Sequence, residues 1–171
     1  SAELVLTLET NEVICGGGEH FDRWNLRGKK FDTWCEDLYA NMNAAYFAVP
    51  FVISSRGYGI FLNCSGRVSF DVGVTAEDEL RVSIPEPGID LYVFTGSPAE
   101  IVKQYTKMVG RPTRVPDWTF APWFSRNSYQ NAKEIDDVLA RARAENLDVG
   151  AVVLECWAES LQSFTFETNR F

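Results

Sequence analysis

The sequence lacks most of what a metal site or a membrane span requires. It has one histidine and four cysteines, and no two of these residues have the spacing of a paired zinc motif. No run of 18 apolar residues occurs, so we expect no membrane-spanning helix. Basic residues are also few, since 16 Lys and Arg against 24 Asp and Glu give a net charge of −8. This sign repels phosphate backbones and anionic lipids, so we expect no nucleic-acid or membrane partner. The Cys and His spacing predicts no metal site, and we expect no cofactor.

The cysteines and the N-terminus bear on the compartment. We expect four free thiols, with one disulfide as the alternative, at Cys15, Cys35, Cys64 and Cys156. The first residues do not show a charged stretch followed by an apolar one, as a signal peptide would. A cytoplasmic location is therefore the expectation, with a secreted or periplasmic one as the alternative.

The first half of the chain has the period of β-strands. In residues 2–10, Leu4 and Leu6 point one way and Glu3 and Val5 the other. Further short strands are predicted at intervals of roughly ten residues, over 46–55, 58–65, 67–74, 79–85 and 89–96. Pro50 within the first of these indicates an edge strand or a bulge. Short strands at this spacing predict an antiparallel β-sandwich or barrel.

One segment, residues 16–45, interrupts this rhythm. It begins "GGGEHFDRWNLRGKKFDTWCED", in which aromatic, basic and acidic residues follow one another without a strand or helix period. Such a segment is too long for a hairpin connection, and we predict a loop that is functional or packed over another part of the protein. Its rings and hydrogen-bonding groups suit a sugar-binding wall, and they equally suit a well-packed turn.

The last third changes to α/β. Residues 97–110 predict a helix capped by Ser97, with Glu100 completing a capping box. After a proline-containing linker come a predicted strand over 119–125, a helix over 132–145 and an apolar strand over 146–157. A strand without polar alternation is covered on both faces, so this is a βαβ unit with parallel strands. Two strands and one helix cannot close a core of their own. We therefore expect either that the remainder of a larger α/β domain is missing, or that the unit packs on the sandwich and on a second copy.

Four stretches together resemble a known family. In chain order they are "LRGKKFDTWCED" (26–37), "SSRGYGIFLN" (54–63), "VGRPTRVPDWTFAPWFSRNSY" (109–129) and "DVGAVVLECW" (148–157). They resemble glycoside hydrolase family 31, the retaining α-glycosidases that include α-glucosidases and α-xylosidases. The resemblance implies a mainly β fold with a C-terminal α/β piece: an antiparallel β-sandwich, then the first β-α-β of a truncated (β/α)8 barrel.

The resemblance also implies a division of the chain and of its chemistry. Residues 1–96 would form the sandwich, 97–118 a helix and linker, and 119–171 the incomplete start of the catalytic barrel. The family's nucleophile and its acid/base lie on later strands, so no catalytic residue is expected here. Retaining hydrolysis needs two carboxyl groups about 5–5.5 Å apart. We therefore expect this chain alone to be inactive.

The resemblance implies that the residues at the end of the second barrel strand, over 146–157, recognise the sugar. There the family has an Asp that hydrogen-bonds the sugar, and this sequence has Glu155, followed by Cys156 and Trp157 as floor or wall. Asn127 replaces the aromatic residue common after the first strand. Arg126 is expected to support that loop by donating to backbone carbonyls or to Glu155. The alternatives are a solvent-facing Glu155 and a Trp157 packed in the core. The sugar specificity stays open.

In the family a loop of the sandwich reaches over the barrel mouth. The resemblance makes residues 16–45 the candidate, with Phe21, Trp24, Asn25 and Trp34 as wall residues. The alternative is a tight turn at Gly16–Gly18 with the rings packed beneath the loop.

Two functions remain in competition. The first is a piece of an α-glycosidase that binds carbohydrate substrate, with self-association through exposed barrel strands. The second is a non-catalytic carbohydrate-binding or scaffold β-sandwich. Exposed apolar surface on 119–171 would favour the first.

Overall fold

The computed structural model describes residues 1–20, 23–35, 47–126, 128–160 and 162–171. Within these ranges the chain divides into two compact units, Ser1–Arg111 and Pro112–Phe171.

The first unit is built from eight short strands in its described part. They are β1 Ala2–Thr7, β2 Ile14–Gly18, β3 Lys29–Thr33, β4 Ala48–Ser54, β5 Tyr58–Leu62, β6 Val68–Val72, β7 Glu79–Ile84 and β8 Leu91–Thr95. They form two four-stranded antiparallel sheets, in the orders β1-β7-β6-β3 and β2-β4-β5-β8. The predicted antiparallel sandwich is confirmed.

The core of this unit follows from the alternation of apolar residues along the strands. On β6, Val68, Phe70 and Val72 are buried, whereas the residues between them are half-buried. Phe70 stacks on Phe31 of β3, with ring centroids 4.9 Å apart. Because successive side chains of a strand point to opposite faces, β6 buries every second residue in the core.

The prediction of a loop over 16–45 is wrong where two strands occupy the segment, at Gly16–Gly18 and at 29–33, while the described residues between them are irregular. Residues 29–33 form β3, in which Lys29, Phe31 and Thr33 are buried and alternate with Lys30 and Asp32. The lysine hid this period, because a buried lysine breaks the expected apolar alternation. Residues 36–46 lie outside the described residues.

The alternative of a tight turn at Gly16–Gly18 is also wrong. Gly16 and Gly18 belong to β2 and lie opposite Val52 and Ala48 of β4. Their backbone φ angles are 120° and 101°, a region that other residues rarely adopt. A Cβ at Gly18 would lie 2.0 Å from the carbonyl oxygen of Phe47, so the close approach of the two backbones requires glycine.

Pro50 lies at a bulge, which is one of the two alternatives that the sequence predicts for it. The register of β4 against β2 shifts between Gly16 and Gly18, and pairing with β5 begins only at Phe51. A proline has no N–H to give to the ladder, so it fits at this irregularity. The other expectation, an edge strand, is wrong, because β4 lies between β2 and β5.

Helix α1, Pro98–Val109, packs on the second sheet. The Ser97 hydroxyl accepts from the N–H of Glu100, and the Glu100 carboxylate accepts from the N–H of Ser97, so the predicted capping box is present. Ile101 is fully buried against Phe51 and Phe94. This cluster attaches the helix to β4 and β8.

The second unit contains the predicted βαβ arrangement. It comprises β9 Trp123–Arg126, α2 Ala132–Ala144 and β10 Ala151–Leu154. The two strands are parallel, with Ala151 opposite Trp123 and Leu154 opposite Arg126. The strand predicted over 119–125 starts late, because Asp117–Phe120 forms a 3₁₀ turn instead.

The cap of α2 differs from its prediction. Asn131 accepts from the N–H of Glu134, as a capping residue does. However, the Glu134 carboxylate accepts from the N–H of Gln130 rather than that of Asn131, so a full capping box is not formed.

Apolar side chains of the second unit remain open to solvent. All four residues of β10 are only half-buried. Phe120 is 80% exposed, and Trp118 and Trp123 are each 50% exposed with their rings 5.7 Å apart. The βαβ unit thus exposes apolar surface, as expected for a sheet that needs further neighbours.

Three cysteines are free thiols. Among the described residues, Cys15, Cys64 and Cys156 form no disulfide. Burial raises the pKa of the Cys15 thiol. Among the described residues, neither helix combines the length and the apolar character needed to cross a membrane.

We expect Ile101→Ala to destabilise the first unit by about 2–5 kcal/mol, because it leaves a cavity in the contact between α1 and the sheet. Val102→Ala is the matched control: it lies on the same helix and is 44% exposed, so it should change stability by less than about 0.5 kcal/mol. Urea unfolding of both variants measures the difference. Equal loss in both would contradict the packing of α1.

A second prediction concerns Asp71, whose side chain is 14% exposed. Burial raises the pKa of Asp71, but hydrogen bonds from the Thr75 hydroxyl, the Val74 N–H and Lys30 outweigh it and lower the pKa from 3.8 to about 2. A carboxylate with a lowered folded-state pKa stabilises the fold above its unfolded pKa, and the stabilisation is lost as the pH falls through the folded value.

Asp71→Asn should therefore cost about 1–2 kcal/mol of unfolding free energy at pH 6, and this difference from the wild type should shrink between pH 4 and pH 2. Asp78→Asn, an exposed position in the same turn, serves as control. Denaturant unfolding across this pH range measures both. A cost for Asp71→Asn that does not vary with pH would contradict the role of the charge.

Candidate functional site

The candidate site of the second unit lies where its two strands end. Because β9 and β10 are parallel and Leu154 lies opposite Arg126, their carboxyl ends meet at one edge of the sheet. Glu155, Cys156 and Trp157 follow β10 directly. Asn127, predicted to follow β9 in the site, lies outside the described residues. Ligands of parallel sheets bind at this kind of edge.

The turn after β10 directs Glu155 outward. Cys156 has φ 54°, the left-handed region, so the chain reverses there. Glu155 and Cys156 are exposed, and Trp157 is half-buried. Within the described part of the chain the Glu155 side chain makes no hydrogen bond or ion pair, so its carboxylate is free to bind a ligand.

Trp157 is held by other rings. It lies 5.5 Å from Phe166, which in turn lies 5.8 Å from Phe171. A β-bridge joins Ala158, the residue after Trp157, to Phe166. Trp157 packs on Phe166 and also lines a cavity, and its role as a floor or wall of a sugar site stays a prediction. That cavity is lined by Cys156, Trp157, Ala158, Glu159, Ser160, Ser163, Phe164, Glu167 and Arg170.

Arg126 supports the loop after β9. Its guanidinium pairs with the Glu134 carboxylate and lies 5.8 Å from the Tyr129 ring. The Gln130 N–H and then the Arg126 guanidinium hold the pKa of Glu134 below its usual value. The contact with Glu155 considered from the sequence is not formed. Arg126 thus has a structural role.

Arg170 and Glu167 were missed by the sequence reasoning. Arg170 donates to the carbonyl oxygens of Tyr129, Gln130 and Cys156, and it pairs with the Glu167 carboxylate at 2.9 Å. No local pattern could have identified them, because these contacts join residues up to 41 positions apart.

The predicted wall residues of the first unit do not share one environment. Trp24 is 83% exposed and lines a cavity with Gly16, Glu19 and His20. Trp34 follows β3 and lies 5.5 Å from the Arg67 guanidinium. Phe21 lies outside the described residues.

Asn25 has a local role, since its side-chain oxygen accepts from the N–H of Arg27. Of the two tryptophans among the predicted wall residues, Trp24 is the more exposed, at 83% against 40% for Trp34.

A buried carboxylate, also missed, explains part of the motif at 54–63. Glu12 is 1% exposed and accepts from the hydroxyls of Ser54 and Tyr58 and from the N–H of Glu9. Burial raises the pKa of Glu12, but these hydrogen bonds outweigh it and lower the pKa overall. Burial and the bond to Glu12 raise the pKa of Tyr58 to about 12. Fully satisfied in this way, the cluster serves the fold.

The described residues thus form an antiparallel sandwich followed by two parallel strands, with an exposed carboxylate where the second strand ends. Comparison with known proteins agrees. The glycosyl hydrolase 31 N-terminal galactose mutarotase-like domain matches residues 1–71, and the glycosyl hydrolases family 31 TIM-barrel domain matches residues 112–171. The chain belongs to glycoside hydrolase family 31.

The relatives of this chain are named for different activities. An α-xylosidase of Emericella nidulans is 31% identical over 97% of this chain, which corresponds to 22% of the relative. An isomaltosyltransferase of Sporosarcina globispora is 30% identical over 91% of this chain and 15% of its own length. The chain spans between 15% and 25% of the curated relatives that it matches.

Solved structures show the same fold. The cycloalternan-forming enzyme from Listeria monocytogenes in complex with pentasaccharide substrate has a TM-score of 0.85 and 28% identity over 92% of this chain and 16% of its own. The cycloalternan-degrading enzyme from Trueperella pyogenes in complex with covalent intermediate has a TM-score of 0.84 and 25% identity, covering 96% of this chain and 24% of its own.

Proposed function

We propose that this chain is the sandwich and the beginning of the catalytic barrel of a longer retaining α-glycosidase, which hydrolyses O-glycosyl bonds of α-linked sugars. One observation supports this most: the two family 31 domains match in order, and the second coincides with a parallel βαβ unit. The partner is accordingly an α-glycoside.

Recognition of the sugar is the part of the reaction that we assign to Glu155 and Trp157. An exposed carboxylate that none of the described residues binds can accept hydrogen bonds from two sugar hydroxyls, and charged acceptors make the stronger hydrogen bonds. The indole of Trp157 offers an apolar face to the sugar C–H groups. Both side chains follow β10, at the edge where barrel enzymes bind their substrates.

The chemical step is assigned to residues outside this chain. A nucleophile and an acid/base carboxyl must flank the glycosidic bond about 5–5.5 Å apart. In the family both lie on later strands of the barrel. The chain on its own therefore binds without turning substrate over.

The identity of the sugar is set partly by the length of the Glu155 side chain. Glu places its carboxylate one methylene further from the backbone than the Asp of the family pattern. Relatives include enzymes named for xylosides, glucosides and isomaltosyl transfer. We propose that the longer acid gives this enzyme a preference of its own among α-glycosides.

A carbohydrate-binding β-sandwich without catalysis is the second candidate. The high exposure of Trp24, 83%, favours it, because flat binding sites for sugars use such rings. The exposed strands of the second unit argue against it, since a self-sufficient module buries its apolar sheet.

We expect the isolated chain to release no product from aryl α-glycosides, because it lacks both catalytic carboxyl groups. A chromogenic assay with aryl α-glucoside and α-xyloside measures this, with the longer enzyme as positive control. Turnover by the chain alone, abolished by Glu155→Gln, would place the chemistry at Glu155 and overturn the assignment.

In the longer enzyme we expect Glu155→Ala to lower kcat/KM by about 10- to 100-fold, because the charge-assisted hydrogen bonds to the sugar are lost. Asp148→Ala is the matched control, since Asp148 is an exposed acid just before the same strand, at its opposite end. Steady-state kinetics and melting curves separate binding from folding. Unchanged kinetics for Glu155→Ala would remove this residue from the site.

A further inference from the structure

One arginine connects the two loops that carry the candidate site. The guanidinium of Arg170 donates to the carbonyl oxygens of Tyr129 at 2.7 Å, Gln130 at 2.9 Å and Cys156 at 3.3 Å. The first two acceptors belong to the loop after β9, and the third belongs to the turn after β10. A single side chain thus holds both strand ends.

The backbone of Arg170 adds a further link. Its carbonyl oxygen accepts from the N–H of Ala132 at 2.8 Å, and Ala132 is the first residue of α2. The first N–H groups of a helix have no partner within the helix, so this contact satisfies one of them. The loop after β9, the start of α2 and the turn after β10 therefore all contact Arg170.

Only arginine suits this position chemically. Its planar guanidinium presents a rigid fork of N–H donors, which can reach several carbonyl oxygens at once. The Glu167 carboxylate, 2.9 Å from the Arg170 guanidinium, fixes the fork, and the Arg170 side chain is 27% exposed. A lysine carries the same charge but is a point donor on a flexible stem.

The contact to Cys156 bears directly on sugar binding. Cys156 lies between Glu155 and Trp157, and its φ of 54° makes the turn. On the far side of the turn, the carbonyl oxygen of Trp157 accepts from the N–H of Glu167 at 3.0 Å. The contacts to the carbonyl oxygens of Cys156 and Trp157 restrain the backbone of residues 155–157. They thereby restrain the direction of the Glu155 carboxylate.

We propose that Arg170 is a positioning residue for substrate binding: by joining the loops after β9 and β10 it fixes where Glu155 meets the sugar. This inference rests on the proposed function of Glu155. It adds a residue that touches no substrate but determines how well the recognition residues fit it.

The test uses the longer enzyme with three substitutions. Arg170→Met should lower kcat/KM by about tenfold, since misplaced binding groups lose much of their effect. Arg170→Lys should recover part of this loss. Arg143→Met, at an exposed position of α2, is the matched control and should behave as the wild type. Melting curves identify folded variants, and if Arg170→Met does not fold, Arg170→Lys replaces it in each comparison.

A double-mutant cycle with Glu155→Ala separates positioning from general stabilisation. If Arg170 acts through Glu155, adding Arg170→Met to Glu155→Ala should lower kcat/KM by less than about threefold more. Losses that multiply in full would overturn the positioning role while leaving the role of Glu155 intact. No loss from Glu155→Ala alone would instead refute the proposed function, so the two failures are distinguishable.

Discussion

The parallel pairing of β9 with β10 is the constraint on which the account depends. Parallel strands are normally covered on both faces, because the crossover between them places helices there. In this unit α2 is the one helix between the strands, and all four residues of β10 stay half-buried. The same pairing brings Arg126 and Leu154 to one edge and so creates the place where Glu155 emerges. Open faces and a polar edge are both explained if the strands start a barrel.

Much of the fold could be predicted, because its local signals are strong. The alternation in β1, the Ser97 capping box and the apolar face of α2 each depend on residues a few positions apart. The exceptions have physical causes. Lys29 is buried in β3 and conceals its period, and the glycines of β2 look like a turn although they permit a close approach of two backbones.

The site could be predicted only in part. The position of Glu155 after an apolar strand was visible, because barrel enzymes bind at strand ends. The contacts of Arg170 with Tyr129 and Cys156 were not, since they depend on two loops meeting in space. Glu12 was missed for a similar reason: its partners Ser54 and Tyr58 are more than forty positions away.

The most direct test is a crystal structure of the longer enzyme with a bound α-linked sugar. The account predicts further parallel strands beside β9 and β10, covering the apolar faces now open. It also predicts the Glu155 carboxylate within hydrogen-bonding distance, about 2.6–3.2 Å, of a sugar hydroxyl. A sugar bound away from this strand edge, or a βαβ unit with no further strands beside it, would contradict the account.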